Sequence, residues 1–158
     1  MPQSSHVFHT LRSAHCARSG KHKSGRINVS ELSVLFFIAT ISIVGVVIQH
    51  VSNISVRGLS FAFAPNRPDD FKNGFLARAG NALRNGIESG AMMGPLVLII
   101  IITETSNEIS QLAAMAYIIT RIGYHIFYWA GQPKPRSVLW GLSMLSIFAM
   151  ASVAVSAL

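Results

Sequence analysis

Residues 78–102 read RAGNALRNGIESGAMMGPLVLIIII. Two arginines, two asparagines and a glutamate run without a break into a segment as apolar as the middle of a membrane span. On a helix, Arg78, Asn81, Asn85 and Glu88 fall within about 80° of one another, following the three-and-four spacing of a single face. Gly86, Gly90 and Gly94 lie on the opposite side, where residues without side chains let a second helix approach closely. The segment therefore reads as one helix with two working faces, and Pro95 predicts a kink in its apolar half. A charged side chain at the centre of a helix in hydrocarbon costs roughly 2.5–3.5 kcal/mol. A polar stripe carried that deep predicts a hydrophilic chamber, and Glu88 at the least must pair with an arginine across the helix interface.

The rest of the chain fits a membrane setting. Of 158 residues, 51% are hydrophobic and only 12% charged, too few for the surface of a soluble globule. The mean hydropathy is +0.46. Residues 32–51, LSVLFFIATISIVGVVIQHV, contain no Asp, Glu, Lys or Arg and are long enough to span the roughly 30 Å of hydrocarbon. A polar connection, about 52–74, leads to a second span at 75–103. The hairpin TETSNE precedes a third span at 109–130, GQPKPRS makes the next turn, and 138–158 forms a fourth span without charge. The expected fold is all-α and integral to the membrane: an up-down-up-down four-helix transmembrane bundle occupying residues 31–158. The loop cations Arg57, Arg67, Lys72, Lys134 and Arg136 place both termini outside, whereas the basic N-terminal tail argues for the reverse.

The net charge of +7 does not describe a nucleic-acid surface, because five of the thirteen basic residues (Arg12, Arg18, Lys21, Lys23, Arg26) fall in an acid-free segment, residues 1–30, read as a disordered tail. No nucleic acid is expected as a partner; the lipid bilayer is. Cys16 is the only cysteine, and His6, His9, His15 and His22 lack regular ligand spacing, so no metal site is expected.

The third span repeats the logic of the second. Tyr117, Arg121, Tyr124 and Tyr128 share one narrow face, with His125 beside them. Tyrosines that anchor a helix at the interface sit near its ends, but these run over three turns together with an arginine, so they read as the lining of a polar cavity. Arg136 stands at the mouth of the fourth helix, on the membrane side of Arg78. Arginine, asparagine, glutamate and tyrosine converging without a nucleophilic triad suit an anionic, peptide-like molecule. Guanidinium groups hold carboxylates, a carboxylate holds an ammonium, and a nearby cation favours a thiolate. Glutathione fits that description, with an apolar electrophile dissolved in lipid as its reaction partner.

At these residues the sequence resembles the MAPEG family, the membrane-associated proteins in eicosanoid and glutathione metabolism, and most of all its short bacterial members. Arg-Ala followed by Asn-x-x-Glu is met here in RAGNALRNGIE. Arg-x-x-Tyr-x-x-x-Tyr is met at Arg121, Tyr124 and Tyr128, and Pro-x-x-Arg-Ser is similar to the turn that carries Arg136 and Ser137. The resemblance covers about residues 30–158. It implies a homotrimer that binds glutathione between neighbouring subunits near the cytoplasmic face, and a multi-pass location, the bacterial inner membrane if the source is prokaryotic. It further implies Arg136 as the activator of the thiol, and Arg78, Asn81, Asn85, Glu88, Arg121, Tyr124, Tyr128 and Ser137 as the binding set. The implied activity is that of a glutathione-dependent transferase or peroxidase acting on a lipophilic small molecule; the alternative is a non-catalytic membrane binding or scaffold protein. Asn81 stands where many members carry a second arginine, which implies weaker glutathione binding, a different thiol, or lost activity. The aromatic-proline pair that often follows the glutamate is also missing, since Pro95 comes seven residues after Glu88.

Overall fold

The computed structural model describes residues 29–63 and 74–156. They form α1 (Val29–Arg57), the single-turn α2 (Leu59–Ala62), α3 (Phe75–Ile102), α4 (Glu108–Trp129) and α5 (Pro133–Val155). Among the described residues there is no strand. The four long helices run up-down-up-down, with α4 packed most extensively on α5 and α1 on α3. Of the basic tail, residues 1–30, the first 28 lie outside the described residues and Val29 and Ser30 begin α1; the loop cations Arg67 and Lys72 also lie outside the described residues.

Local chemistry sets the ends of each helix. The first helix continues six residues past the expected end at Val51, because its polar side chains bond back to their own helix. His50 Nδ1 meets the carbonyl of Val46, Asn53 Nδ2 donates to Gln49, and Ser55 Oγ donates to Val51, all at 2.9 Å. Gly58, with φ +81°, then ends it. Asn107 starts α4 through a reciprocal cap: its Oδ1 accepts from the Ser110 N–H at 2.9 Å, and its own N–H donates to Ser110 Oγ at 3.0 Å. Gly131, with φ +73°, makes the turn into α5, where Pro133 occupies the first turn and gives up no needed donor. The fourth span thus begins five residues before the expected Val138. Pro95 lies inside α3 without ending it.

Three of the long helices (α1, α3 and α5) are long and apolar enough to cross a membrane. At about 33 Å, α4 is long enough as well, and its lower apolarity comes from residues turned inward, among them Arg121 and His125. The apolar core fills the half of the bundle nearest the α3–α4 hairpin, where Val34, Met93, Val97, Ile100, Ala114, Tyr117 and Met150 are buried together. The other half holds Asn85, Arg121, Tyr124 and His125. Glycines set the close approaches: a Cβ on Gly90 would stand 2.7 Å from Ile38 Cγ2 of α1, and one on Gly86 would stand 3.0 Å from His125 Nε2 of α4. Gly94 meets no neighbour within 4 Å, so two of the three glycines in the series serve packing within the chain.

Candidate functional site

Arg121 is the centre of the polar half. It projects from α4 into the bundle and is only 1% exposed. Its Nη1 donates to Asn85 Oδ1 on α3 at 2.8 Å. Its guanidinium carbon lies 5.2 Å from the Tyr124 ring centre and 5.7 Å from that of Tyr117, so two π faces cushion the cation. Nε and Nη2 are buried with no hydrogen-bond partner. The tyrosine face expected of the third span is therefore interior over Tyr117, Arg121 and Tyr124, while Tyr128 is half-buried at its end.

Toward the turn between α4 and α5 the polar column opens into a cleft of about 210 Å³, lined by Tyr124, Tyr128, Arg136, Ser137 and Trp140. The Arg136 guanidinium lies 4.6 Å from the centre of the Tyr128 ring, which holds the cation at the cleft wall. Ser137 Oγ donates to the Pro133 carbonyl at 3.0 Å, a bond within its own helix. Arg78, from the start of α3, donates through Nε to the carbonyl of Trp129 at 3.3 Å. That places a cation at the carboxyl end of α4, where the helix dipole is negative.

Two members of the expected set go elsewhere. Asn81 and Glu88 are exposed on the outside of the single chain, and Glu88 pairs at 3.0 Å with Arg84 of its own helix, four residues back, rather than with an arginine across a helix interface. The buried face of α3 is centred on Ala79, Ala82, Gly86, Ser89 and Met93. The polar stripe flanks that face: Arg78 and Asn85 reach inward and Asn81 and Glu88 outward. Helical spacing puts four residues on a stripe but does not say which edge of the stripe a neighbour covers.

Ser89, Glu31 and Trp140 were not singled out from the sequence. Ser89 and Tyr117 share a buried hydrogen bond at 3.1 Å, deeper than Arg121. At the opposite end of the bundle, Glu31 is 1% exposed and accepts from Ser106 Oγ at 2.8 Å and from Ser110 Oγ, tying α1 to the start of α4. Trp140 joins the cleft wall because it lies one turn beyond Arg136 on α5.

The family model described as MAPEG family matches residues 30–156, nearly the whole of the described bundle. No curated protein and no solved structure matches the chain significantly. The four-helix membrane bundle, with polar side chains gathered at one end of it, agrees with that match, and the chain belongs to the MAPEG family.

Proposed function

We propose that the chain is a glutathione-dependent transferase or peroxidase of the membrane, acting on lipophilic electrophiles with Arg136 stabilising the thiolate. The observation that carries this reading is Arg121, a buried cation with one hydrogen bond, to Asn85, and two nitrogens, Nε and Nη2, without a partner among the described residues. Burying a guanidinium without a carboxylate partner does not stabilise a fold, since desolvation outweighs what one neutral hydrogen bond returns. Unpartnered guanidinium donors are instead what a carboxylate ligand needs, and Tyr124, which packs on Arg121, carries the column on to the cleft. Glutathione carries two carboxylates, an ammonium and a thiol. Arg121, Asn85 and the tyrosines would hold its anionic end, and Arg136 at the cleft mouth would favour loss of the thiol proton. In a transferase the thiolate sulfur then forms a bond to an electrophilic carbon, whose leaving group departs with the bonding pair. In a peroxidase the sulfur takes the distal oxygen of a hydroperoxide, releasing an alcohol, and a second glutathione completes the disulfide and releases water.

The single chain supplies only part of such a site. A cleft of about 210 Å³ is smaller than the roughly 300–1,000 Å³ of ordinary small-molecule sites. Glu88 lies about 20 Å along α3, well inside the bilayer thickness, yet its side chain and that of Arg84 are 52% and 82% exposed. Both shortfalls are met if α3 of each chain faces a neighbouring subunit. We therefore read α3 as facing a neighbouring subunit whose cleft Glu88 and Asn81 complete, the assembly being the homotrimer that membership of the family implies. Titrating detergent-solubilised protein with glutathione while following thiolate absorbance tests the binding, and conjugation of an aryl halide tests turnover. Arg136→Ala should cut turnover at least a hundredfold while the oligomer persists. Absence of both a thiolate signal and conjugation in the unaltered protein removes the enzymatic reading and leaves a membrane scaffold.

A further inference from the structure

His125 has no part in the chemistry above, yet it is among the most buried polar side chains, at 3% exposure. It lies one turn beyond Arg121 on α4. Its Nδ1 is 2.8 Å from the Arg121 carbonyl oxygen, which can only accept, so Nδ1 carries a proton and donates. Tyr124 and Trp129 flank the ring edge-on, with centroids at 5.5 and 5.8 Å. With the ring fixed in this way, Nε2 faces α3 at Gly86, where an added Cβ would stand 3.0 Å from Nε2 and 3.4 Å from Cε1. The imidazole fills the space that the missing side chain leaves.

Gly86 directly follows Asn85, the acceptor of the Arg121 hydrogen bond. Two contacts therefore join the same stretches of the same two helices: Arg121 to Asn85, and His125 to Gly86. They differ in stiffness. A long arginine reaching an asparagine tolerates a range of helix separations, whereas a flat ring seated on a glycine fixes the spacing to a few tenths of an ångström.

We propose that His125, seated against Gly86, is a positioning residue for the ligand site. It sets the approach of α4 to α3 at which Asn85 holds one guanidinium nitrogen of Arg121 and the other two are left without a partner among the described residues. The inference rests on the reading of Arg121 as part of a glutathione site.

The test uses the full chain in detergent, with glutathione affinity read from thiolate absorbance and stability read separately by unfolding. Gly86→Ala should weaken glutathione binding about tenfold, comparable to losing one hydrogen bond to a charged group. His125→Phe keeps a ring of similar size but cannot donate to the Arg121 carbonyl; it should weaken binding in the same direction, and it serves if Gly86→Ala does not fold. In an Asn85→Ala background neither change should add more than about twofold, because the bond they position is already gone. Unchanged affinity in both single variants, or losses that multiply in the Asn85→Ala background, overturns the proposal. If the unaltered protein binds no glutathione, the functional reading fails by itself. The positioning claim is then decided by unfolding: Gly86→Ala and Asn85→Ala must be non-additive, and strict additivity refutes it.

Discussion

Arg121→Met separates a cation kept for binding from one kept for folding. The stabilising side of Arg121 consists of one hydrogen bond to Asn85 at 2.8 Å, worth about 1.5–3 kcal/mol for a charged donor. Two tyrosine rings at 5.2 and 5.7 Å add roughly 0.5–2 kcal/mol each. Against them stand Nε and Nη2, buried without partners at about 1–3 kcal/mol each. The two sides cancel to within a few kcal/mol. Methionine keeps an unbranched stem in the same channel and brings no donors, so the substitution should change unfolding free energy by no more than about 3 kcal/mol. Asn85→Ala should be worse, by about 2 kcal/mol, since it strips the guanidinium of its one hydrogen-bond partner and leaves the charge buried. Stability would be measured by denaturing-detergent titration of micelle-solubilised protein, followed by helical circular dichroism, and binding by glutathione titration. The expected result for Arg121→Met is a bundle of ordinary stability that no longer binds glutathione. A loss above about 3 kcal/mol with binding retained would show that the arginine belongs to the scaffold, and the argument from its unpartnered nitrogens would fail.

Three other perturbations address separate parts of the molecule. Gly90→Ala brings a Cβ to 2.7 Å from Ile38 Cγ2 and should destabilise by about 1–3 kcal/mol; Ile38→Ala in the same chain should recover part of that loss, and simple summing of the two penalties in an unfolding titration would contradict the packing described. Glu31→Ala removes the acceptor of Ser106 and Ser110 and should lower the unfolding midpoint, at a cost of about 1–3 kcal/mol, while glutathione affinity stays the same because Glu31 lies at the other end of the bundle. Exchanging both Arg84 and Glu88 for glutamine should leave the single-chain fold intact but weaken self-association, measured by sedimentation in detergent; an unchanged oligomer would show that this pair does not face a neighbouring subunit.

The helices were legible because hydrocarbon imposes a simple test: long runs without charge, broken by Gly, Pro and acidic or basic turns. That test failed between Ser52 and Arg57. Polar residues there suggested a loop, but serine and asparagine satisfied themselves on the carbonyls one turn back, and the helix continued to the glycine. The third helix was legible as a polar face because its spacing isolates Tyr117, Arg121 and Tyr124 on one side, and those three are buried. The second helix was half legible. Its stripe was evident, but only the packing of Ala79, Ala82 and Gly86 decides that Asn85 turns inward and Glu88 outward. Glu31 could not be recognised at all, since its partners come from Ser106 and Ser110, 75 and 79 residues further along.

The two ends of the bundle show where polarity serves the fold and where it does not. At the hairpin end, Glu31 Oε1 is held by two serine hydroxyls next to a capped helix start, with the apolar core directly beside it, while Oε2 is buried without a partner among the described residues. Its carboxylate lies where the dipole of α4 is positive, so the charge has local compensation. At the other end, Arg121 has aromatic faces and one amide oxygen but no counter-charge among the described residues, and Arg136 leans on Tyr128 at the rim of a half-formed cleft. Aromatic cushions lower the cost of holding a desolvated cation without neutralising it, which leaves its electrostatic attraction for an anion undiminished. A fold selected only for stability would replace such an arginine with an apolar residue. On the function proposed above, the ligand's negative charge would lie between α3 and α4, in the half of the bundle away from the apolar core, and the spacing of those two helices would be the quantity on which binding depends.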